Sequence, residues 1–271
     1  RLPGVLRHLQ RVKYVRTVVT SAAYAWSLLD RVRGYDVVHA FSASYWSFLL
    51  APLPAMAAAK LYGRRVVLNY RSGEADDHLR RSRAAVPAMR RLADAIVVPS
   101  GYLVDVFAQF GLAARSVFNF VELERIPYRR RDALVGMRSP HFFSNRNLEP
   151  MYNVACTLRA FARVQAAVPD ARLTVAGDGA ERARLEALAA SLGLRGVEFV
   201  GRVRPEAMPR LYDAADVYLN SPDIDNMPNS VIEAYAAGLP VVTTDAGGIP
   251  YIVRDGETGL MVKRDDDAAL G

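Results

Sequence analysis

The sequence predicts an α/β protein made of two Rossmann-like, doubly wound domains. Three observations predict it. Short apolar runs alternate with helical patterns along almost the whole chain, with Gly and Ser at the joins, as βα units around a parallel sheet require. The 271 residues, 51% of them hydrophobic, suit two cores rather than one. A polar stretch, Pro127–Met137, with Arg129, Arg130 and Arg131 in a row, separates the two series and reads as a linker. The expected domains are therefore 1–135 and 136–271.

The stretch to about Arg33 has Leu2, Leu6, Leu9, Val12, Val15 and Val18 at helical spacing, with Arg7, Arg11, Lys13 and Arg16 between them. It reads as a basic amphipathic helix, packed on a sheet or lying on a membrane surface. Strands are expected at Asp36–Ala40, Arg65–Tyr70 and Ala95–Pro99. Helices are expected at Ser47–Leu61, in the region after Tyr70 through Arg91, and at Leu103–Phe110. Ala40–Ala59 carries no charge. Pro52 and Pro54 break any continuous spanning helix there, so a strand end, a loop and a buried helix are expected instead.

The second series is clearer. Strands are expected at His141–Ser144, Leu173–Ala176, Val197–Val200, Val217–Asn220 and from Pro240 to Thr243. Helices are expected at Asn153–Ala167, Glu181–Leu192, Glu206–Ala215 and Asn229–Ala237, the last stopped by Gly238. Ligands are expected at the carboxyl ends of these strands.

Composition narrows the class. A single cysteine, Cys156, excludes an internal disulfide, and its apolar helical setting makes it a core residue. The formal charge is +7, divided unevenly: residues 1–140 hold 22 Lys+Arg against 10 Asp+Glu, and residues 141–271 hold 13 against 18. The basic half suits an anionic surface such as a bilayer. No basic motif interleaved with aromatics supports nucleic acid as a partner. No His/Cys cluster or Asp-x-Asp pair offers a metal site, and Asp265–Asp267 reads as a solvated turn.

The chemistry concentrates in the loop and helix start from Ser221 to Ala234. Pro228 suits a first helical turn, where its missing N–H is no loss. The amides of Asn229 and Ser230 would then face an anion such as a diphosphate. Asp225 and Glu233 flank this start, and carboxylates accept hydrogen bonds from sugar and ribose hydroxyls. Ser230-x-x-Glu233 is also a capping-box pattern, in which the glutamate only satisfies the helix end. The segment alone leaves both readings open.

Asp225-x7-Glu233 resembles the E-x7-E motif of retaining glycosyltransferases of the family 4 type. The resemblance extends through Ala234–Val242, with Gly238 and Pro240, to Gly247–Pro250 and Asp255–Leu260. It also takes in Ala176–Gly179, Phe199–Val203 and Ala95–Ser100. It covers most of the chain from about Tyr35, and implies the GT-B architecture, with the two domains facing across a cleft. It further implies that Glu233 binds the nucleotide ribose and that Asp225, in place of a glutamate, faces the donor sugar. Backbone at Asn226, Met227 and Asn229, with Ser230 and Gly177, would approach sugar and phosphate. Main chain at Arg202 and Val203 would meet the base. Arg146 would grip the diphosphate.

Two departures stand out. The family places a lysine shortly after that arginine, whereas Leu148–Asn153 contains none. Arg71 stands where the family has a histidine after the strand ending at Tyr70; it is a candidate sugar or phosphate contact, and His78 is expected to face elsewhere. By the same resemblance, a first strand and glycine-rich loop before Arg1 and closing helices after Gly271 are expected but absent from the sequence.

The expected activity is transfer of a hexosyl unit from a nucleoside diphosphate sugar, UDP-sugar favoured, to a glycan or lipid-linked acceptor with retention. No metal or other cofactor is expected. The expected location is cytoplasmic, at the inner face of a membrane. A nucleotide-sugar epimerase and a non-catalytic sugar-nucleotide-binding protein are the alternatives.

Overall fold

The computed structural model describes residues 13–131 and 137–271. The expected helix through Val12 and the expected boundary between 135 and 136 lie outside them. Packing divides the chain into two units, the first ending at Val117 and the second being Phe118–Gly271.

The first unit runs α1 (Lys13–Arg31), β1 (Val37–Ser42), α2 (Trp46–Leu50), α3 (Pro52–Leu61), β2 (Arg65–Tyr70), α4 (Ala75–Arg81), α5 (Ala85–Leu92), β3 (Ala95–Val98), α6 (Gly101–Gln109) and β4 (Arg115–Ser116). Its four strands lie parallel in the order β1-β2-β3-β4. Phe48, Met56, Leu68, Tyr70, Leu103 and Phe107 form its core. The helix expected over Ser47–Leu61 is two helices. The chain breaks at Ala51 (φ −120°, ψ −71°), and Pro52, which has no N–H to give, opens the second. Among the described residues no helix is long and apolar enough to cross a membrane.

The second unit runs β5 (His141–Asn145), α7 (Val154–Ala167), β6 (Arg172–Ala176), α8 (Arg182–Ser191), β7 (Val197–Gly201), α9 (Met208–Ala214), β8 (Val217–Asn220), α10 (Asn229–Ala236), β9 (Val241–Thr244), β10 (Leu260–Val262) and α11 (Asp267–Leu270). All six strands are parallel, in the order β10-β9-β8-β5-β6-β7. All four residues of β8 are buried, as a central parallel strand demands. Successive crossovers run one way from β5 to β7 and the other way from β8 to β10. The order therefore reverses between β5 and β8, and the crevice at their carboxyl ends is where such sheets bind ligands.

Two readings change. The stretch expected to be a linker begins as part of the second unit: Arg131 donates to the carbonyls of Tyr212 (2.9 Å) and Ala215 (3.0 Å) at the end of α9, and to that of Ala237 after α10. Asp265–Asp267 is a solvated turn only at Asp265, which is exposed; the rest opens α11 and is tied down. Asp265 accepts from Arg159 and Asn153, Asp267 pairs with Arg159 and Arg163, and Asp266 caps α11 by accepting from the Ala269 N–H. Cys156 is fully buried, and burial pushes its thiol up to about 12, which suits a core residue.

Candidate active site

The switch point places two consecutive residues side by side at the end of β5. Asn145 is the last residue of the strand and Arg146 the first beyond it. Arg146 turns to the loop between β8 and α10. One guanidinium nitrogen lies 2.6 Å from Asp225 Oδ2 and another donates to Ser230 Oγ at 3.1 Å. Both charged side chains are 10% exposed. The guanidinium also sits 4.1 Å over the Tyr152 ring. Tyr152 belongs to the very stretch, Leu148–Asn153, where the resemblance implies a lysine. An aromatic face there fixes the first cation instead of a second cation adding to it. Arg146 Nε is buried with no hydrogen-bond partner among the described residues, an unsatisfied donor inside the cluster.

Asp225 feels opposing influences. Burial pushes its carboxyl above the usual range, while Arg146 and the Asn226 N–H, 2.8 Å from Oδ1, draw it back. The loop that carries it is held from two directions. The Gly248 N–H donates to the Asp225 carbonyl at 3.2 Å, and a Cβ on Gly248 would lie 1.8 Å from the Asn226 carbonyl oxygen, so no other residue fits. Asn119 donates through its side chain to the Met227 carbonyl at 2.8 Å and through its N–H to Met227 Sδ at 3.3 Å. Gly177, after β6, plays a similar part beside Arg146. Its φ is +133°, and a Cβ would lie 2.0 Å from the Arg146 carbonyl oxygen.

The two readings of Glu233 now separate. Helix α10 starts after Pro228 with no side-chain capping bond, and the Ser230 hydroxyl is taken by Arg146. Glu233 is half-buried, and its Oε2 accepts from the Tyr212 hydroxyl at 2.7 Å. The capping box is not formed. Tyr212 is buried on α9 and accepts in turn from Asn145 Nδ2 at 2.8 Å. Burial above all, then Tyr218 and Glu233 beside it, pushes its hydroxyl well above the usual tyrosine range, so it stays a donor. Its oxygen is also 3.3 Å from the Ser230 carbonyl. Asn145 thus orients the Glu233 end and Arg146 the Asp225 end, and Ser230 touches both.

Arg146, Asp225, Ser230, Glu233 and Gly177 converge, with Asn226 buried and Met227 anchored beside them. Asn229 is exposed. Arg202 is exposed, and Val203 packs against the core cluster that contains Tyr212; both stand apart from the hydrogen-bonded network. Arg71 belongs to the first unit, where its N–H donates to the Ser42 carbonyl at 3.1 Å. His78 is buried in that unit's core, its Nδ1 2.7 Å from the Tyr70 hydroxyl. Tyr212 and Asn145 carry no local signal in the sequence, since a tyrosine in a helix and an asparagine at a strand end are both commonplace.

Beyond Glu233 and Tyr212 the second unit opens a pocket of about 200 Å³. Phe120, Ile126, Met208 and Pro209 line much of it, with Glu233 on one wall. Among the described residues no three His, Cys, Asp or Glu side chains converge as metal ligands.

Residues 4–125 match the model of Glycosyltransferase Family 4, and residues 141–271 that of Glycosyl transferases group 1. The lipopolysaccharide core biosynthesis glycosyltransferase LpsE of Rhizobium meliloti (strain 1021) is 41% identical over 98 residues, 36% of this chain and 28% of that protein. A GDP-mannose-dependent alpha-(1-6)-phosphatidylinositol monomannoside mannosyltransferase of Mycolicibacterium smegmatis is 28% identical over 247 residues, covering 82% of this chain. The match spans 62% of that relative's length. Among solved structures, Anabaena HepE in complex with UDP and glucose superposes with a TM-score of 0.75 at 20% identity, over 91% of this chain and 69% of that one. Sucrose-phosphate synthase from Thermosynechococcus elongatus gives 0.70 at 21% identity, over 88% and 63%. Those likenesses are of fold: two parallel-sheet, Rossmann-like units, as in GT-B glycosyltransferases.

Proposed function

Since the chain carries a family 4 glycosyltransferase domain and a group 1 glycosyltransferase domain, we propose that it transfers a hexosyl unit from a nucleoside diphosphate sugar to a glycan or lipid-linked acceptor, with retention at the anomeric carbon. The observation that carries the reading is the Arg146–Asp225–Ser230 cluster at the switch point, joined through Tyr212 to Glu233. A diphosphate against Arg146 and the start of α10 meets a cation and the positive helix end together. Those groups stabilise the charge that grows on the leaving diphosphate, in place before the reaction starts. Glu233 keeps one carboxylate oxygen for the ribose hydroxyls while Tyr212 holds the other. Asp225 offers its carboxylate to the sugar hydroxyls. Retention follows from the resemblance of Asp225-x7-Glu233 to the retaining motif.

UDP is the favoured nucleotide, in keeping with the UDP and UDP-glucose complexes of HepE. The relative named for GDP-mannose makes GDP-sugars the second choice. Isothermal titration with UDP, UDP-sugars and GDP-sugars tests the donor; no binding to any of them overturns the reading. Product analysis with and without acceptor separates transfer from epimerisation, since an epimerase converts the donor alone. Relatives named for lipopolysaccharide core and phosphatidylinositol mannoside synthesis favour an envelope acceptor. With the basic residues 1–140, they support docking at the cytoplasmic face of a membrane. Co-sedimentation with anionic vesicles checks this, and equal recovery with neutral ones counts against it.

A further inference from the structure

We propose that Asn119 positions the Asp225 loop for the donor's sugar, so that losing its hydrogen bond weakens the hold on the sugar and spares the hold on the nucleotide. The inference rests on the nucleotide-sugar reading and adds a positioning residue to it. The loop runs from Asp225 to Pro228, and α10 opens at Asn229. Its near end is fixed by the Gly248 N–H on the Asp225 carbonyl at 3.2 Å. At its far end Pro228 has no N–H to give and keeps Met227 out of a helical conformation. Asn119 supplies the hold between these ends, and does so twice. Its side-chain amide donates to the Met227 carbonyl at 2.8 Å, and its own N–H donates to Met227 Sδ at 3.3 Å.

The bond from the side-chain amide fixes the plane of the Met227–Pro228 peptide, and with it the path of the chain back to Asp225. Asn119 is half-buried between Phe118 and Phe120, which are both exposed. A polar side chain turned inward between two rings turned outward reverses the usual order, and it is the inward polar group that calls for a cause. The carbonyl it meets is that cause. The groups assigned to the nucleotide have supports of their own. Glu233 lies within α10 and is held by the Tyr212 hydroxyl at 2.7 Å. Arg146 lies beyond β5, with Ser230 Oγ at 3.1 Å and the Tyr152 ring beneath it. Asp225 alone sits on the loop itself, so slack at Met227 reaches it first. A small displacement of a group that grips the substrate is costly, because the bond it makes is lost with the geometry.

Titration calorimetry on wild type, Asn119→Ala and Asn119→Leu, with UDP, GDP, UDP-glucose, UDP-galactose and GDP-mannose, tests this. Leucine keeps the size of asparagine, adds no charge and has no proton to donate. Both variants are expected to bind the free nucleoside diphosphate as wild type does, which also shows that the fold survives. They are expected to bind the tightest sugar donor of the set roughly 2- to 12-fold more weakly, the range for loss of one neutral hydrogen bond. If nucleoside diphosphate and sugar donor weaken equally, Asn119 supports the unit as a whole, and the inference fails with the donor reading intact. If Asn119→Leu binds the sugar donor like wild type, the hydrogen bond is not what holds the loop, and the inference fails in the same way. If wild type binds a nucleoside diphosphate and none of the sugar donors, the loop receives no sugar and the inference is overturned. If wild type binds none of the five, both readings fall together.

Discussion

At the scale of single residues, the site depends on two side chains that divide the labour differently. Arg146 uses a planar fork, with separate nitrogens on Asp225 and Ser230 and its face on Tyr152. Lysine offers a point charge and no face, so Arg146→Lys is not conservative here. It is expected to weaken pyrophosphate and UDP alike by roughly 10- to 150-fold, the worth of one charge-assisted hydrogen bond of about 1.5–3 kcal/mol. Calorimetry with both ligands reads this; a loss confined to UDP would move Arg146 away from the diphosphate. Tyr212 touches no phosphate in this reading. Tyr212→Phe removes the donor to Glu233 and leaves the carboxylate free to turn. It should cost UDP about 5- to 10-fold, near 1–1.5 kcal/mol, and leave pyrophosphate unchanged. Thermal melts separate this from unfolding. Of these residues Asp225 and Glu233 stand out in the sequence as carboxylates flanking a helix start, and Arg146 is named there only by the family resemblance. Tyr212 does not stand out, because its contact with Glu233 arises from a helix brought there by folding, and nothing next to it in the chain announces it.

At the scale of elements, the long periodic helices and buried strands follow from the alternation of apolar runs, and most form where the pattern places them. The exceptions have physical causes. β4 and β10 span two and three residues, too few for a period to show. The helix over Ser47–Leu61 splits because Pro52 removes a backbone donor in its middle. The polar run at Arg129–Arg131 resembles a linker by composition, yet its guanidiniums find the carbonyls left open where α9 and α10 end. Cations at helix C-termini satisfy these acceptors and oppose the negative end of the helix. Arg131 has bonds to Tyr212, Ala215 and Ala237, and burial holds its guanidinium below the usual arginine range. Arg131→Ala is expected to lower the stability of the second unit by about 1–3 kcal/mol, since the buried Tyr212 carbonyl loses its donor, while those of Ala215 and Ala237 keep Arg129. Because α9 carries Tyr212 and α10 carries Glu233, UDP affinity should fall with it. Urea unfolding with and without UDP measures both effects; an unchanged midpoint would make Arg131 a surface residue after all.

At the scale of the whole molecule, two separate cores mean that two different stimuli should act on two different units. In the first, His78 is buried against Tyr45, Phe48 and Tyr70, and burial holds its pKa below the ordinary 6.5 even though Asp77 pulls the other way. The unfolded chain then binds the proton more readily than the folded one, so stability is full above pH 6.5 and is lost as pH falls from there through the folded value. In the second unit, a ligand bound only by the folded state adds RT ln(1 + [L]/Kd), about 2.7 kcal/mol at a hundredfold excess over Kd. Hydrogen exchange followed peptide by peptide distinguishes the units. Acidification from pH 7.5 to 5.5 is expected to speed exchange in β1 to β3, and His78→Asn, which keeps a hydrogen-bonding partner for Tyr70, to abolish most of that change. UDP is expected to slow exchange in β5, β8 and α10 and to leave the first unit's core amides unaltered, with Glu233→Ala removing the protection. Protection that spreads equally through both cores would mean that the chain opens as one cooperative block, and the donor would then stabilise more than the unit whose switch point receives it.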